Sequence, residues 1–463
     1  GGHGYGRLPV RPYDKLRCGV ARRGNSRRDR ALHGGNVAYR IPGGLVSIGN
    51  DKEKAMIYLI VFIYLLYLSV RYDILGREDY RWTHYRIAVT LLILVAGLRW
   101  RVGSDTVSYA SDFYFSHDLF HLEWSDFESV MKMPLWVLLQ ATCKTIWNDF
   151  LLFQFVVAAF GIGMIAYFIK KVCPSLCFFI LLCFFIGRYT ATSMEHMRGS
   201  LSIIFFLLGI LAVNDGKTKK FLLYFLVAVL FHVFTIFAVF LFVIGYYLIP
   251  RKPAIYWLLC VAMIVPILVG KDFMTPIAEG ASLFLPSEDM ASRITAYATS
   301  EWFGNKDLSI INYVWMVAQL IVYVFMLHKT QVIYPQYIRL KQDLFQTCVC
   351  IALLLVCARY SLMILYRMVD YFYFFTLFLS VMFAKGILID RIVRRQKILV
   401  FCVLLLFPLF FGAKAWLNED IIGGSYTYSR YYPYSSVFDK SLDPEREKHH
   451  QLRGSGWSVE NDY

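Results

Sequence analysis

The sequence predicts an all-α integral membrane protein with about twelve transmembrane helices. The chain has 463 residues, of which 58% are apolar and 17% aromatic, whereas only 17% are charged. Runs of mostly apolar residues recur from Met56 onwards, and a helix needs ~20 such residues to cross the hydrocarbon layer. Helices are expected because each one satisfies its own backbone hydrogen bonds inside lipid.

Apolar segments account for the predicted spans in chain order. They lie at residues 56–70, 86–98, 150–169, 176–187, 199–213, 221–249, 254–270, 310–327, 343–358, 371–386 and 398–412. The run 221–249 has 29 residues, which is more than one crossing needs, and polar His232 lies near its middle. We therefore expect a helix that is broken near His232, so that this run contributes two helices.

Residues 1–55 differ from the rest of the chain. They carry 12 Lys and Arg against 4 Asp and Glu, and the first methionine of the chain is Met56. Lys52 and Glu53 can be encoded AAG-GAG, a bacterial ribosome-binding sequence. We expect that 1–55 is translated upstream sequence and that the native start is Met56; a basic cytoplasmic leader is the alternative. The predicted membrane domain is then 56–440, followed by a polar tail at 441–463.

Cysteine usage and motifs exclude several classes of function. The ten cysteines lie mostly inside apolar runs, where Cys behaves as a small hydrophobic residue, so neither a disulfide nor a metal site is expected. There is no P-loop, no HExxH motif and no GxGxxG that opens a βα unit. No cofactor is therefore expected, and the basic loops indicate membrane orientation rather than nucleic-acid binding.

Lys and Arg in alternate short loops predict the orientation of the chain, because cytoplasmic loops are enriched in these residues. The opposite, outer face then carries the segments 99–148, 188–198, 271–309, 359–370 and 413–463. Arginines recur on this face, against the usual bias. They are Arg99, Arg101, Arg188, Arg198, Arg359 and Arg367.

Outer-face arginines suggest an anion site, because a planar guanidinium binds phosphate or pyrophosphate well. Snorkelling at helix ends, or pairing with Asp105 or Asp370, is the structural alternative for any single arginine. Candidate general bases beside them are Asp105, Glu195 and the intramembrane His232. Such a site would need no metal, because the arginines themselves would stabilise the charge of a departing pyrophosphate.

The motifs resemble those of the EpsG-type membrane proteins, which are Wzy-like polysaccharide polymerases of bacterial O-antigen, capsule and exopolysaccharide clusters. The resemblance covers about 56–440. It rests on Gly97-Leu98-Arg99-x-x-Val102-Gly103-x-Asp105 followed by Tyr109, on Met197-Arg198, on Phe231-His232, on Arg367 with Tyr371, and on Tyr432-Pro433-Tyr434-Ser435-Ser436-Val437. The chain departs from the family pattern at Met133, Gly199 and Ser202, where the family usually has Glu, Gln and Ala.

The resemblance implies transfer of a growing glycan from undecaprenyl pyrophosphate onto the next lipid-linked repeat unit, at the periplasmic face of the bacterial inner membrane. It implies that Arg99, Arg198 and Arg367 hold the pyrophosphate, supported by Arg101, Arg188 and Arg359. Tyr109 and Tyr371 would contact substrate, and Asp105 or His232 would accept the proton. A chain-length regulator and a flippase are possible partners.

Two other classes stay open from the residues alone. A flippase for the lipid-linked oligosaccharide would also need basic residues, but along a cavity that opens to both faces. A membrane acyltransferase centred on His232 would need a thioester site on the inner face, which the loops do not indicate.

Overall fold

Helices dominate the parts of the chain that the structure, a computed structural model, describes. These are residues 51–127, 133–248, 310–358, 365–419 and 426–452. Within them the regular elements are helices, accompanied by isolated β-bridges and no strand. The all-α prediction is thus confirmed for these ranges. Residues 1–50 of the expected leader lie outside them.

Helices longer than two turns form in the predicted apolar segments of the described residues and also at Thr106–Phe115, Pro134–Ile146 and Pro444–Leu452, where none of those segments lies. They are α1 Asp51–Leu68, α2 Arg81–Gly97, α3 Thr106–Phe115, α4 Pro134–Ile146, α5 Phe150–Val172, α6 Cys177–Gly187, α7 Met197–Asn214, α8 Thr218–Phe231, α9 Thr235–Val243, α10 Ile310–Thr330, α11 Gln342–Ala358, α12 Tyr366–Phe383, α13 Arg394–Trp416 and α14 Pro444–Leu452. π-helical turns extend α1, α9 and α12 at their C-terminal ends.

Membrane-spanning capacity is evident in five helical stretches of the described residues. Each is long and apolar enough to cross a bilayer: Met56–Ile74, Phe150–Val172, Met197–Asn214, Arg367–Ile389 and Arg394–Trp416. Shorter apolar helices occur at Pro174–Gly187, Thr235–Leu248, Val314–Thr330 and Gln342–Ala358. The expected total of about twelve crossings is not confirmed, and the predicted segment 254–270 lies outside the described residues.

The break expected near His232 is present. Helix α8 ends at Phe231, His232 adopts an extended conformation with φ −156° and ψ 116°, and α9 begins at Thr235. The hydroxyl of Thr235 donates to the carbonyl of His232 over 2.6 Å. The same carbonyl accepts from the backbone N–H of Thr235 over 3.0 Å, so this acceptor is satisfied at the break.

Local sequence features determine where α4 and α5, the two helices that pack against α3, begin. Pro134 stands at the first position of α4, where its missing N–H is not needed. Asp149 caps α5, because its Oδ1 accepts a hydrogen bond of 2.8 Å from the backbone N–H of Leu151. Together with Phe113 of α3, the aromatic rings of Trp136 and Phe153 form a buried cluster that joins these three helices.

A C-terminal segment lies across the loop that follows α2. The backbone N–H of Trp100 donates to the carbonyl of Ser435 over 2.8 Å, and that of Val437 donates to Leu98 over 2.9 Å. Gly103 N–H donates to the carbonyl of Arg430, also over 2.9 Å. Two regions far apart in the sequence therefore meet at the loop that carries Arg99 and Arg101.

Candidate functional site

The arginine loop, residues 97–105, is built around the buried side chain of Arg99, which is 1% exposed. Its guanidinium donates to the carbonyls of Ala96, Val102 and Met194, with Nε 3.1 Å from Val102 O and Nη2 2.9 Å from Met194 O. Burial lowers the pKa of Arg99 to about 10. Arg99 thus holds the loop against the turn that contains Met194, and its contact with pyrophosphate stays a prediction.

Two further residues fix the conformation of the arginine loop. Gln154 of α5 donates through Nε2 to the carbonyls of Gly97 and Arg99, each over 2.8 Å. Gly103 has φ +100°, and a Cβ there would lie 3.0 Å from the carbonyl oxygen of Met194. A side chain at this position would meet both an unfavourable backbone conformation and a rigid neighbour.

Helix α14 packs its polar side chains onto the same loop. Arg101 forms an ion pair with Glu447, in which Nε lies 2.9 Å from Oε1 and Nη2 lies 2.6 Å from Oε2. His449 Nε2 lies 2.8 Å from the hydroxyl of Ser104, and His450 Nε2 lies 3.3 Å from the carbonyl of Arg101. Burial lowers the pKa of His450 to about 4. The sequence analysis assigned no role to this helix.

Other predicted site residues are engaged in contacts between segments. Buried Glu195 accepts from the backbone N–H of Ser104 over 3.1 Å and lies 3.4 Å from Nη1 of Arg430. Arg188 pairs with Asp370 at 3.3 Å. These contacts are the kind of pairing that the sequence analysis held as the structural alternative. Arg359 lies outside the described residues.

A second group, the arginine–histidine cluster, comprises Tyr109, Arg198, His232 and Arg367. The guanidinium carbon of Arg198 lies 5.9 Å from the centre of the Tyr109 ring. The charges of Arg198 and Arg367 both act on the imidazole of His232. Arg367 is exposed, while Arg198 and His232 are half-buried. The cluster thus combines two cations with a titratable ring at the helix break.

Burial and charge also act on Tyr109 and His232. Burial raises the pKa of Tyr109 to about 12, the charge of nearby Asp105 adds to the rise, and Arg198 opposes it. Tyr109 is therefore a neutral hydrogen-bonding group at physiological pH. In His232, the ring atom Nδ1 is buried and has no hydrogen-bond partner among the described residues.

Hydroxyl groups of the predicted site residue Tyr371 and of two residues that were not predicted as site residues, Thr235 and Ser202, support this cluster. The Tyr371 hydroxyl lies 2.8 Å from Oγ1 of Thr235 and 3.1 Å from Oγ of Ser202, and these two oxygens also bond to each other. The network ties α12, which carries Arg367, to the break at His232.

Comparison with known families adds an independent observation. The sequence model of the EpsG family matches residues 82–436. The chain belongs to the EpsG family. Membership suggests a role like that of a polysaccharide polymerase. No curated protein and no solved structure matches the chain significantly.

In this EpsG protein, the matched residues include both the arginine loop and the arginine–histidine cluster but end before α14. Over the parts of the chain that are described, no group of three or more His, Cys, Asp or Glu is placed to hold a metal ion. The arginine–histidine cluster itself offers guanidinium groups that can bind an anion, with an imidazole beside them.

Proposed function

We propose that this EpsG protein is a polysaccharide polymerase. In this proposal it transfers a glycan from an undecaprenyl pyrophosphate donor to a sugar hydroxyl of the next lipid-linked repeat unit. The reaction takes place at the periplasmic face of the bacterial inner membrane. Family membership supports the polymerase class, and the membrane-length helices support a substrate that is itself embedded in lipid.

The observation that carries the proposal is the position of Arg198, whose guanidinium carbon lies 5.9 Å from the centre of the Tyr109 ring and whose charge, like that of Arg367, acts on His232. Each arginine lies in the first turn of its helix, α7 or α12. Unpaired backbone N–H groups and the helix dipole favour an anion at such positions. Two guanidinium groups and two helix N-termini would therefore bind a pyrophosphate more strongly than either arginine alone.

In the proposed reaction these groups have the following roles. The acceptor hydroxyl attacks the anomeric carbon of the donor glycan, and the bond from that carbon to the pyrophosphate oxygen breaks. The hydroxyl proton passes to the imidazole of His232, which the proposal treats as the base. Arg198 and Arg367 stabilise the negative charge that develops on the departing lipid pyrophosphate. Tyr109 and Tyr371 hold Arg198 and the helix break in place, and Asp105 is the alternative base.

A complementation experiment tests the proposal. A deletion strain would receive the wild type, Arg198→Ala, Arg198→Lys or His232→Ala, and its glycans would be separated on a gel. We expect Arg198→Ala and His232→Ala to leave single repeat units outside the cell and Arg198→Lys to retain part of the long-chain ladder, because Lys keeps the charge but not the planar fork. Arg395→Ala, at an exposed arginine of α13, is the control.

Two outcomes would contradict the proposal. Wild-type ladders from Arg198→Ala would exclude the cluster as the site of transfer. Accumulation of single repeat units inside the cell would point instead to a flippase, since export would then be the step that fails.

A further inference from the structure

A cavity of about 340 Å³ lies beside the arginine loop, outside the arginine–histidine cluster. Its walls are one face of α3, the first turn of α5, the loop residues Trp100 and Arg101, and the C-terminal segment at Val437–Lys440. The volume falls within the ~300–1,000 Å³ of small-molecule sites. The cavity is therefore large enough to receive part of a ligand.

The lining combines aromatic rings with charged and amide groups. Trp100, Tyr114 and Phe438 supply rings, and the Phe438 side chain is 83% exposed. Asp149 supplies a negative charge, and Lys440, Arg99 and Arg101 supply positive charges. A sugar ring presents an apolar face of C–H groups and an edge of hydroxyls, so it matches rings beside groups that both donate and accept hydrogen bonds.

Gln154 adds an independent sign of a polar ligand. It lines the cavity and is 2% exposed. Its Nε2 donates hydrogen bonds to the carbonyls of Gly97 and Arg99, but its Oε1 has no hydrogen-bond partner among the described residues. A buried acceptor without a donor is costly. A hydroxyl of a ligand in this cavity is the kind of donor that the acceptor lacks.

Helix α3 separates the cavity from the cluster. Thr106, Val107 and Ala110 line the cavity, whereas Tyr109 is turned towards Arg198. A ligand in the cavity therefore does not occupy the place proposed for the pyrophosphate. Such a ligand contributes to binding, and the bond that breaks in the proposed reaction lies outside the cavity.

We propose that this cavity binds a sugar residue of the glycan at a distance from the reacting end. The inference rests on the proposed polymerase function and adds a second glycan-binding position to it. A glycan held there stays on the protein between additions, because the second contact is intramolecular once the first is made. Weakening the cavity therefore shortens the product without stopping transfer.

The test uses the full chain, purified in detergent, and the oligosaccharide repeat unit released from the polysaccharide of the producing strain. Binding is followed by calorimetry. Phe438→Ala removes a ring at the mouth, and Ala110→Leu reduces the volume from the α3 side. Phe120→Ala, at another exposed phenylalanine that does not line the cavity, is the matched control.

We expect both cavity variants to weaken oligosaccharide binding at least tenfold and to shift the cellular ladder towards shorter chains, with Phe120→Ala like wild type. Unchanged binding and unchanged ladders in Phe438→Ala and Ala110→Leu would overturn the inference. The two proposals fail separately. If Arg198→Ala left polymerisation intact while Phe438→Ala abolished oligosaccharide binding, the sugar site would stand and the pyrophosphate cluster would not.

Discussion

Arg101 and Glu447 form a two-point ion pair although 346 positions separate them in the chain. Arg101 is 5% exposed and Glu447 is 15% exposed, so the pair is largely removed from water. Arg101 also has φ +53°, which is uncommon for a residue with a side chain. The pair therefore connects helix α14 to a loop whose backbone is already constrained.

Replacing Glu447 by Gln should detach α14 from the arginine loop. Removal of one partner of a buried pair costs about 3–5 kcal/mol, because the other charge is left without compensation. We expect a lower apparent melting temperature in detergent and faster proteolysis within 444–452. Glu445→Gln is the matched control, since Glu445 is an exposed carboxylate of the same helix. Equal effects of the two variants would contradict a specific role for the pair.

The docking of α14 should also depend on pH through His450. Burial lowers its pKa from the ordinary 6.5 to about 4, Glu447 opposes this, and Arg101 and Arg446 reinforce it. A depressed histidine pKa means that the undocked state binds the proton more readily. Stability is therefore full above about pH 6.5 and falls as the pH decreases towards 4.

Proteolysis of the tail at a series of pH values measures this dependence. We expect cleavage of the wild type to accelerate between pH 6.5 and 4, and His450→Gln to show a smaller change over the same range. A profile that is identical in the two proteins would exclude His450 as the titrating group.

Gly103→Ala should be more harmful than the same change at Gly76. Both glycines have positive φ, at +100° and +71°. A Cβ at Gly76 has no atom within 4 Å, whereas one at Gly103 lies 3.0 Å from the Met194 carbonyl. We expect Gly76→Ala to lower the free energy of unfolding by about 1 kcal/mol and Gly103→Ala to lower it clearly more. Apparent melting temperatures in detergent compare them, and equal values would show that the contact with Met194 is easily relieved.

Lysine substitutions should separate the roles of Arg99 and Arg198. A lysine ammonium at 99 cannot reproduce the planar fork that reaches three carbonyls, so Arg99→Lys should lower the yield of folded, monodisperse protein. Arg198→Lys should fold normally and reduce polymer length instead. Size-exclusion chromatography together with the glycan ladder distinguishes them. Normal folding of Arg99→Lys with no polymer would instead favour direct contact between Arg99 and substrate.

Tyr371→Phe and Ser202→Ala should be strongly non-additive. Their oxygens lie 3.1 Å apart and share Thr235. Each single substitution should lower the free energy of unfolding by about 1–3 kcal/mol, since it leaves buried hydrogen-bonding partners unsatisfied. The double variant should lower it by less than the sum of the two single effects, and a double-mutant cycle on apparent stability measures this coupling. Additive losses would mean that the two hydroxyls act independently.

Apolar runs in the sequence were sufficient to predict the apolar helices of the described residues and the break at His232, but not α3, α4 or α14. These runs are local properties, because a polar residue within an overlong apolar run interrupts a span wherever the rest of the chain lies. Motif order led to the prediction of Arg198, His232 and Arg367 as site residues, and in the structure the charges of both arginines act on His232.

Contacts that depend on side-chain direction could not be predicted. Nothing in the sequence shows that Arg99 turns towards the carbonyls of Ala96 and Met194, or that Arg188 faces Asp370. The polar helix α14 has no apolar stripe, so its burial against Arg101 is not apparent from its pattern. Both are tertiary contacts between segments that only the complete fold brings together.

The position of Glu447 in the chain has a consequence for biosynthesis. Every membrane-length helix of the described residues precedes it, so a ribosome must finish all of them before Arg101 can meet its partner. Before then the arginine loop lacks its ion pair with α14. The contact between Arg101 and Glu447 therefore forms only after the preceding helices have been translated, and a chain interrupted after α13 would leave the arginine loop without this contact.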